Sequence, residues 1–381
     1  MTRILWACWD GGGNLPPTLG IVHELERRGH EVALHGRDDM VPRARAAGLT
    51  AYPFAAARAD QGTFSFHPLA SVFGYCCSPA VGEELVELAA ATSPDLVVID
   101  AMFGTALDVA DRLDAPTVVM LHTFLYRGID AWRANLAMQS QTREKAGFAP
   151  LASLDVLWGQ RDRVHVNTLA AFDGEPTVGW GNVVHGAPVL ASETRAVPSE
   201  HPWEDDGLPL VLLSFSTVPE QRSAESLQRA LDALGTLPVR VVATTGGIVD
   251  PEELAAPANA HVVAFADHDA LIRRASLVVG HGGHGTTMRA LRAGVPIVGM
   301  PAKGTDQATT LQLLDTWHAG IALPGDADVE SLRSAVVEVL GDPSYRETAQ
   351  RLSRDFDTPD GAVRAADSVE AVLGRQVEAA S

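Results

Sequence analysis

Cysteine is scarce, with three residues in 381: Cys8 and the adjacent pair Cys76 and Cys77. Three thiols make no disulfide framework, sequence neighbours are poorly placed to bridge, and no metal-ligand spacing accompanies them. Basic charge is in deficit, with 29 lysines and arginines against 48 acidic residues and a net charge of −19. Phosphate backbones are bound by basic surfaces, so nucleic acid is excluded as a partner. An anionic ligand must therefore be held locally, by backbone amides or a few placed cations. Long apolar runs are missing too. No stretch approaches the roughly 20 residues of a membrane span. The first apolar run, residues 4–9, is far shorter than a signal-peptide core and has one arginine before it. These absences predict a cytoplasmic protein without a membrane partner.

What is present is the balance of a globular protein with real cores: 46% apolar and 20% charged residues. The length is comfortable for two domains. Residues 4–9, 31–35, 96–100 and 117–121 read as nearly all-apolar strands, as expected where both faces of a sheet are covered. Residues 19–28 and 106–113 carry apolar side chains at helical spacing, and Gly29 stops the first of these. The polar stretch 197–207, with Pro198 and Pro202, suits a linker. Strands at 210–214, 239–244, 261–265, 277–280 and 296–300 and a helix at 224–234 then resume the alternation, which implies parallel sheets with crossover helices. The expected division is a first domain over 1–193, a linker over 194–208, a second domain over 209–360, and a last helix over 361–381 packing back on the first domain. Ligands of open parallel sheets sit at the carboxyl ends of the strands. Two doubly wound halves facing a central cleft offer one wall to each of two substrates.

The most informative segment follows residues 277–280. The apolar strand runs into His281-Gly282-Gly283-His284-Gly285-Thr286-Thr287, and a helix begins at once. Glycine permits close backbone approach, and a helix N-terminus presents amides and a positive dipole end to an anion. Thr286 and Thr287 add hydroxyls, and His281 has the reach and chemistry to bond a phosphate oxygen. Lysine is absent from the turn, so it is not the nucleoside-triphosphatase P-loop. It lies too deep in the chain to be the first turn of a dinucleotide-binding unit. The structural alternative is a turn that needs glycine for packing alone.

This segment resembles the nucleotide-diphosphate-sugar motif of family-1 glycosyltransferases, in particular those of bacterial natural-product and macrolide type. The family pattern HGG-x-GT, AL, G-x-P, P and DQ reads here as His281 to Thr286, Ala290-Leu291, Gly294-Val295-Pro296, Pro301 and Asp306-Gln307. Phe265-Ala266-Asp267-His268 sits where relatives place an aromatic segment against the base, and Ser214-Phe215-Ser216-Thr217 matches the loop near the phosphates. The amino half is similar around Asn14-Leu15-Pro16-Pro17 and Arg28-Gly29-His30-Glu31-Val32. The resemblance implies an α/β GT-B fold of two Rossmann-like domains. It also implies a donor site of Ser216, Thr217, Phe265, Ala266, His281, Gly282, Gly283, Gly285 and Thr286, with Asp306 and Gln307 on the sugar hydroxyls. A helix cap is the structural alternative for Asp306, and the two roles are compatible. Relatives generally work without a metal, so no metal and no cofactor beyond the nucleotide sugar is expected.

The chain departs from that pattern in three places. Arg289 stands where many relatives carry the glutamate that grips both ribose hydroxyls, and a guanidinium has no acceptor. It reads either as a solvated helix charge or as a group near the diphosphate. Asp267-His268-Asp269 replaces a segment that usually holds proline, and reads as helix capping rather than as a metal site. Asn14 occupies the position of the histidine that serves relatives as general base, and an amide takes no proton at a useful pH. The remaining candidates for catalysis lie at strand ends: Asp10, Asp100 (where relatives keep an aspartate that steadies the histidine) and His122. The structural alternatives are turn capping for the two aspartates and a satisfied core position for His122. Asn14 is then left to orient the acceptor.

Phe64, Phe66, Phe73 and Tyr75 fall in a stretch without clean periodicity, and Phe124 and Trp132 lie in another. As a set they are expected to present an apolar acceptor surface, with core packing the alternative for each one. The expected activity is inverting transfer of a sugar from dTDP or UDP to a small apolar natural product, an aromatic polyketide or similar. The alternatives are a nucleotide-sugar epimerase of the same fold and an inactive partner protein.

Overall fold

The computed structural model describes residues 1–59, 62–67, 70–190, 203, 206–215, 224–302, 307–356 and 360–380. Met1–Ala191 with Pro359–Ser381 form one compact unit and Ser192–Thr358 the other. Most of the stretch 194–208 lies outside the described residues.

The first unit is built on a seven-stranded parallel sheet of β1 (Arg3–Ala7), β2 (Glu31–Gly36), β3 (Ala51–Pro53), β4 (Leu96–Asp100), β5 (Thr117–Leu121), β6 (Arg163–Val166) and β7 (Val183–His185), in the order β3-β2-β1-β4-β5-β6-β7. The second has a six-stranded parallel sheet of β8 (Leu210–Ser214), β9 (Arg240–Thr244), β10 (Ala260–Val263), β11 (Leu277–Gly280), β12 (Ile297–Gly299) and β13 (Gly320–Ala322), in the order β10-β9-β8-β11-β12-β13. Each order runs outward to one edge and then reverses from the first strand. The reversal leaves a crevice between the carboxyl ends of β1 and β4, and another between those of β8 and β11.

The all-apolar strands alternate between two cores. Leu5, Ala7, Val97, Ile99, Val119 and Leu121 pack to one side of the first sheet. Ile4, Trp6, Leu96, Val98, Val118 and Met120 pack to the other, against Ile21, Val22 and Leu25 of the helix Leu15–Arg27. That helix begins earlier than residue 19. Pro16 and Pro17 occupy its first turn, where the missing N–H has no partner to lose. The strand expected over 4–9 stops at Ala7, and the Trp9 indole turns to bond Asp100. The helix expected over 106–113 is split into Gly104–Asp108 and a tight turn at Ala110–Arg112.

The helix Gly361–Ala380 lies on Leu15–Arg27 within the first unit, adding Ala365, Ala366 and Val369 to the same core. Arg28 bonds Asp367 at 2.7 Å and Glu370 at 2.6 Å, and His30 bonds Glu370 at 2.8 Å. Glycine is required at Gly361, where a Cβ would strike the carbonyl oxygens of Ala187 and Pro188.

Candidate active site

In the first unit the candidate residues gather at the reversal point. Asn14 is the last residue before the helix Leu15–Arg27, Asp100 ends β4, and His122 follows β5. The Asn14 carboxamide is tightly engaged. Its Oδ1 accepts from Gly11 N at 2.8 Å, and its Nδ2 donates to Trp9 O at 2.7 Å and to Asp100 Oδ2 at 3.0 Å. Both amide hydrogens are thereby used, and Oδ1 keeps one lone pair for an incoming donor. Asp100 is only 2% exposed. Its Oδ1 accepts from Trp9 Nε1 at 3.1 Å and Met102 N at 2.9 Å. Burial pushes its carboxyl up to about 6, against the downward pull of the bonds from Asn14, Met102 and Trp9.

Asp10 faces elsewhere. Its Oδ1 accepts from Gly12 N at 2.8 Å, and its Oδ2 pairs with Arg43 at 2.7 Å. His122 lies among three side chains. Asn167 Nδ2 donates to its Nδ1 at 3.0 Å, so Nε2 is the ring N–H. That nitrogen lies 3.2 Å from Thr18 Oγ1 and 3.6 Å from Asp100 Oδ2, and the Thr18 hydroxyl in turn donates to Asn14 O at 2.9 Å. The proton-accepting nitrogen of His122 is thus turned toward Asn167. Trp9, Thr18 and Asn167 belong to this cluster, and in the sequence they carry nothing that separates them from ordinary core and turn residues.

The aromatic set does not form an exposed surface, which corrects the expectation for most of its members. Phe64, Phe73, Tyr75 and Phe124 are each at most 4% exposed. The Tyr75 hydroxyl donates to Cys8 O at 2.5 Å, and Phe64 and Phe73 pack with Cys77. Trp132 is partly buried and donates from Nε1 to Phe124 O at 2.9 Å. With Ala101, Gln139 and Trp158 it lines a small crevice beyond β4. Only Phe66, 49% exposed, presents its ring to solvent. Aromatic residues in an aperiodic stretch bury themselves whenever a core is within reach.

In the second unit β11 ends at Gly280, and the helix His284–Arg292 starts with Gly283 as its cap residue. Glycine is demanded twice in between. Gly282 has φ +78 with Leu311 packed where a Cβ would lie, and a Cβ on Gly283 would meet His281 Nε2 at 2.5 Å. The imidazole of His281 therefore lies over the turn beside the helix start. Gly280 approaches β8 so closely that a Cβ would stand 2.5 Å from Ser214 O. The strand, the glycine turn and the amides of the first helical turn meet in one small space.

Of the other donor candidates, some fall outside the described residues. Ser216, Thr217 and Asp306 are outside them. Gln307 is 4% exposed, and its Oε1 accepts from Ala302 N at 2.9 Å, which orients its amide nitrogen away from that backbone. Phe265 is 42% exposed beside Ala266, with its ring against Gly247. Asp267 caps the helix His268–Arg274 by accepting from Ala270 N at 3.0 Å. His268 Nε2 lies 3.1 Å from Thr244 Oγ1, which donates to Ser214 Oγ at 3.1 Å. Burial first, and then the charge of Arg289, hold His268 down at about 4, so its ring is neutral near pH 7. Asp269 pairs with Arg289. The three residues of Asp267-His268-Asp269 thus face three different partners, and no metal-binding cluster occurs among the described residues. No described helix is long and apolar enough to cross a membrane.

Comparison with known proteins agrees with this architecture. Residues 228–366 match the family described as erythromycin biosynthesis protein CIII-like, C-terminal domain. A demethyllactenocin mycarosyltransferase of Streptomyces fradiae is 27% identical over 407 residues, covering 98% of this chain and 87% of that protein. A PGL/p-HBAD biosynthesis rhamnosyltransferase of Mycobacterium bovis (strain BCG / Pasteur 1173P2) is 34% identical over 173 residues, 44% of this chain and only 36% of that protein. Among solved structures, the calicheamicin glycosyltransferase CalG4 superposes with a TM-score of 0.78 at 25% identity, covering 98% of this chain and 99% of the other. Glycosyltransferase VinC, solved in complex with dTDP, shares the fold with a TM-score of 0.73 at 21% identity, over 98% of this chain and 100% of the other.

Proposed function

We propose that this chain, a GT-B glycosyltransferase of the bacterial natural-product type, transfers a deoxysugar from a dTDP- or UDP-sugar to a small apolar aglycone with inversion at the anomeric carbon. The observation that carries the donor side is the strand–glycine turn–helix at the reversal point of the second sheet, with His281 laid over it. A deoxysugar fits relatives named for mycarosyl and rhamnosyl transfer. The thymidine diphosphate in the VinC structure supports the nucleotide.

In this reading the leaving diphosphate rests on the amides of Gly283–Thr286, and the helix dipole meets the charge that grows as the glycosidic bond breaks. Gln307, with Asp306, takes the sugar hydroxyls. On the first unit, the nucleophile of the acceptor donates a hydrogen bond to the remaining lone pair of Asn14 Oδ1. Asp100 and Gly11 hold that carboxamide in register. Asn14 orients and does not deprotonate. An acceptor nucleophile that needs little proton removal, such as an amine or a phenol-type group, suits this carboxamide best, its proton passing to solvent as the new bond forms. The reaction as drawn calls on no metal and no cofactor besides the nucleotide sugar.

The test has two arms. Mass spectrometry of the protein with dTDP- and UDP-deoxysugars and a panel of apolar aglycones is expected to find a glycoside with inverted anomeric configuration. Titration of His281→Ala and Thr286→Ala with dTDP is expected to show binding weakened by about 1–3 kcal/mol each, the range for losing a bond to a charged group. Unchanged affinity in both variants sinks the donor site, and a retained anomeric configuration sinks the mechanism.

A further inference from the structure

An acidic chain that binds a diphosphate has to place its cations with care. The glycine turn contains no lysine, and the protein as a whole carries a net charge of −19. Arg289 is the basic residue of the helix His284–Arg292 that reaches back to the turn. Side chains on a helix lean toward its N-terminus, and residues four apart stack on one face. Accordingly, Arg289 Nη1 stands 3.3 Å from the position a Cβ on Gly285 would occupy. Its Nε pairs with Asp269 Oδ1 at 3.3 Å, from the neighbouring helix start after β10. Both side chains are substantially covered, with the arginine 19% and the aspartate 30% exposed. The guanidinium therefore spans two helix starts at the carboxyl edge of the sheet, with an outer nitrogen over the first turn. A Cβ at 285 would be in tight contact with that nitrogen, and the flexible arginine tip would have to give slightly to admit it.

We infer that Arg289, steadied by Asp269, is the placed cation of the donor site and meets the diphosphate of the nucleotide. This rests on the donor reading above. The position from which relatives grip the ribose diol is thereby given to the phosphates. A guanidinium accepts no hydrogen bond, so it cannot take the hydroxyl hydrogens of a ribose as a carboxylate does, and turned to the phosphates it reads neither sugar. The donor site draws its affinity from charge, and thymidine and uridine diphosphates bind with similar strength. Asp269 is a positioning residue here: it holds the arginine in place ahead of the ligand.

Calorimetric titration with dTDP, UDP and dTMP tests this on the full chain. Arg289→Gln is expected to weaken dTDP and UDP alike, by roughly 10-fold, and to narrow the preference for dTDP over dTMP. Arg289→Lys, which keeps the charge, is expected to recover part of the loss at an unchanged melting temperature. Asp269→Asn, which leaves the arginine unanchored, is expected to fall between wild type and Arg289→Gln. Wild-type affinity in Arg289→Gln, or a change confined to UDP, overturns the assignment while the donor site stands. Wild-type affinity in Asp269→Asn overturns the steadying role. Failure of the wild type to bind either diphosphate overturns the donor reading and this inference together.

Discussion

Asn14 has both of its amide hydrogens committed and one oxygen lone pair in reserve, so in the proposed reaction what it contributes is direction. Asp10 is spent on a turn and on Arg43, and the basic nitrogen of His122 faces Asn167. Asp10→Asn and His122→Ala are therefore expected to keep turnover within about tenfold of wild type. Asn14→Ala is expected to lose about 10²-fold, the scale for a reactant held out of register. Steady-state assays on one acceptor separate these outcomes, and a hundredfold loss in either of the first two returns that residue to the role of base. Asp100 adds a pH signature. Its folded-state pKa of about 6 lies above the ordinary carboxylate value of 3.8, so the native state binds the proton more tightly than the unfolded chain does. The stability this contributes is complete below pH ~4 and is lost as pH rises through ~6. Between pH 5 and 7 the term amounts to about 1 kcal/mol. Urea unfolding of wild type and Asp100→Asn at the two pH values checks it: the wild type should lose that much relative to the variant. An equal response in both proteins would show that Asp100 titrates normally.

At the scale of elements, the sequence was most readable where a strand is covered on both faces. Residues 96–100, 117–121, 210–214 and 277–280 are strands over the expected residues, because a short unbroken apolar run bounded by polar or turn residues leaves little else to form. The three-residue strands β3, β7 and β13 are too short to show a period, and pairing with a neighbour defines them more than composition does, whereas β12 is the strand expected over 296–300, trimmed to Ile297–Gly299. The glycine turn was legible because its backbone needs are written into residue type. The Asn14–Asp100 contact was not legible in physical terms, since it joins positions 86 apart. The aromatic stretches misled because composition does not tell which way a ring turns. The helix Gly361–Ala380 carries the clearest energetic consequence. It covers Leu25, which is fully buried, and clasps Arg28 with Asp367 and Glu370. Leu25→Ala is expected to cost about 2–4 kcal/mol for the cavity it opens. Arg28→Ala is expected to cost about 1–2 kcal/mol, since several partly buried acceptors lose their donor together. Denaturant midpoints of the two variants check the ranking, and an Arg28 effect equal to that of Leu25 would mean that the ion pairs, and not the apolar seam, hold the last helix.

For the whole molecule the decisive feature is how the chain is partitioned. The second unit is continuous in sequence, Ser192–Thr358, and has its own core of Val211, Leu213, Leu227, Leu231, Val241 and Val279. Its reversal point also contains the glycine turn, His281 and the Arg289–Asp269 pair. The first unit is discontinuous: Met1–Ala191 needs Pro359–Ser381 to cover the face of Leu15–Arg27. The two pieces should therefore behave differently when made separately. Residues 192–358 alone are expected to unfold cooperatively and to bind dTDP with the same dependence on Arg289 as the full chain. Residues 1–191 alone are expected to be aggregation-prone, because Ile21, Val22 and the rest of that seam meet water, and exposed apolar surface of this size drives association. Adding residues 359–381 through a short flexible link should restore a cooperative transition. The link has only to bring the helix to its groove at an effective concentration in the millimolar range, which short flexible linkers supply. Thermal unfolding followed by circular dichroism, with sedimentation to detect association, reads all three proteins. A soluble, cooperatively folded 1–191 fragment would mean that the last helix is an accessory to the first core. Loss of dTDP binding in a folded 192–358 fragment would mean that the glycine turn does not hold the nucleotide unaided.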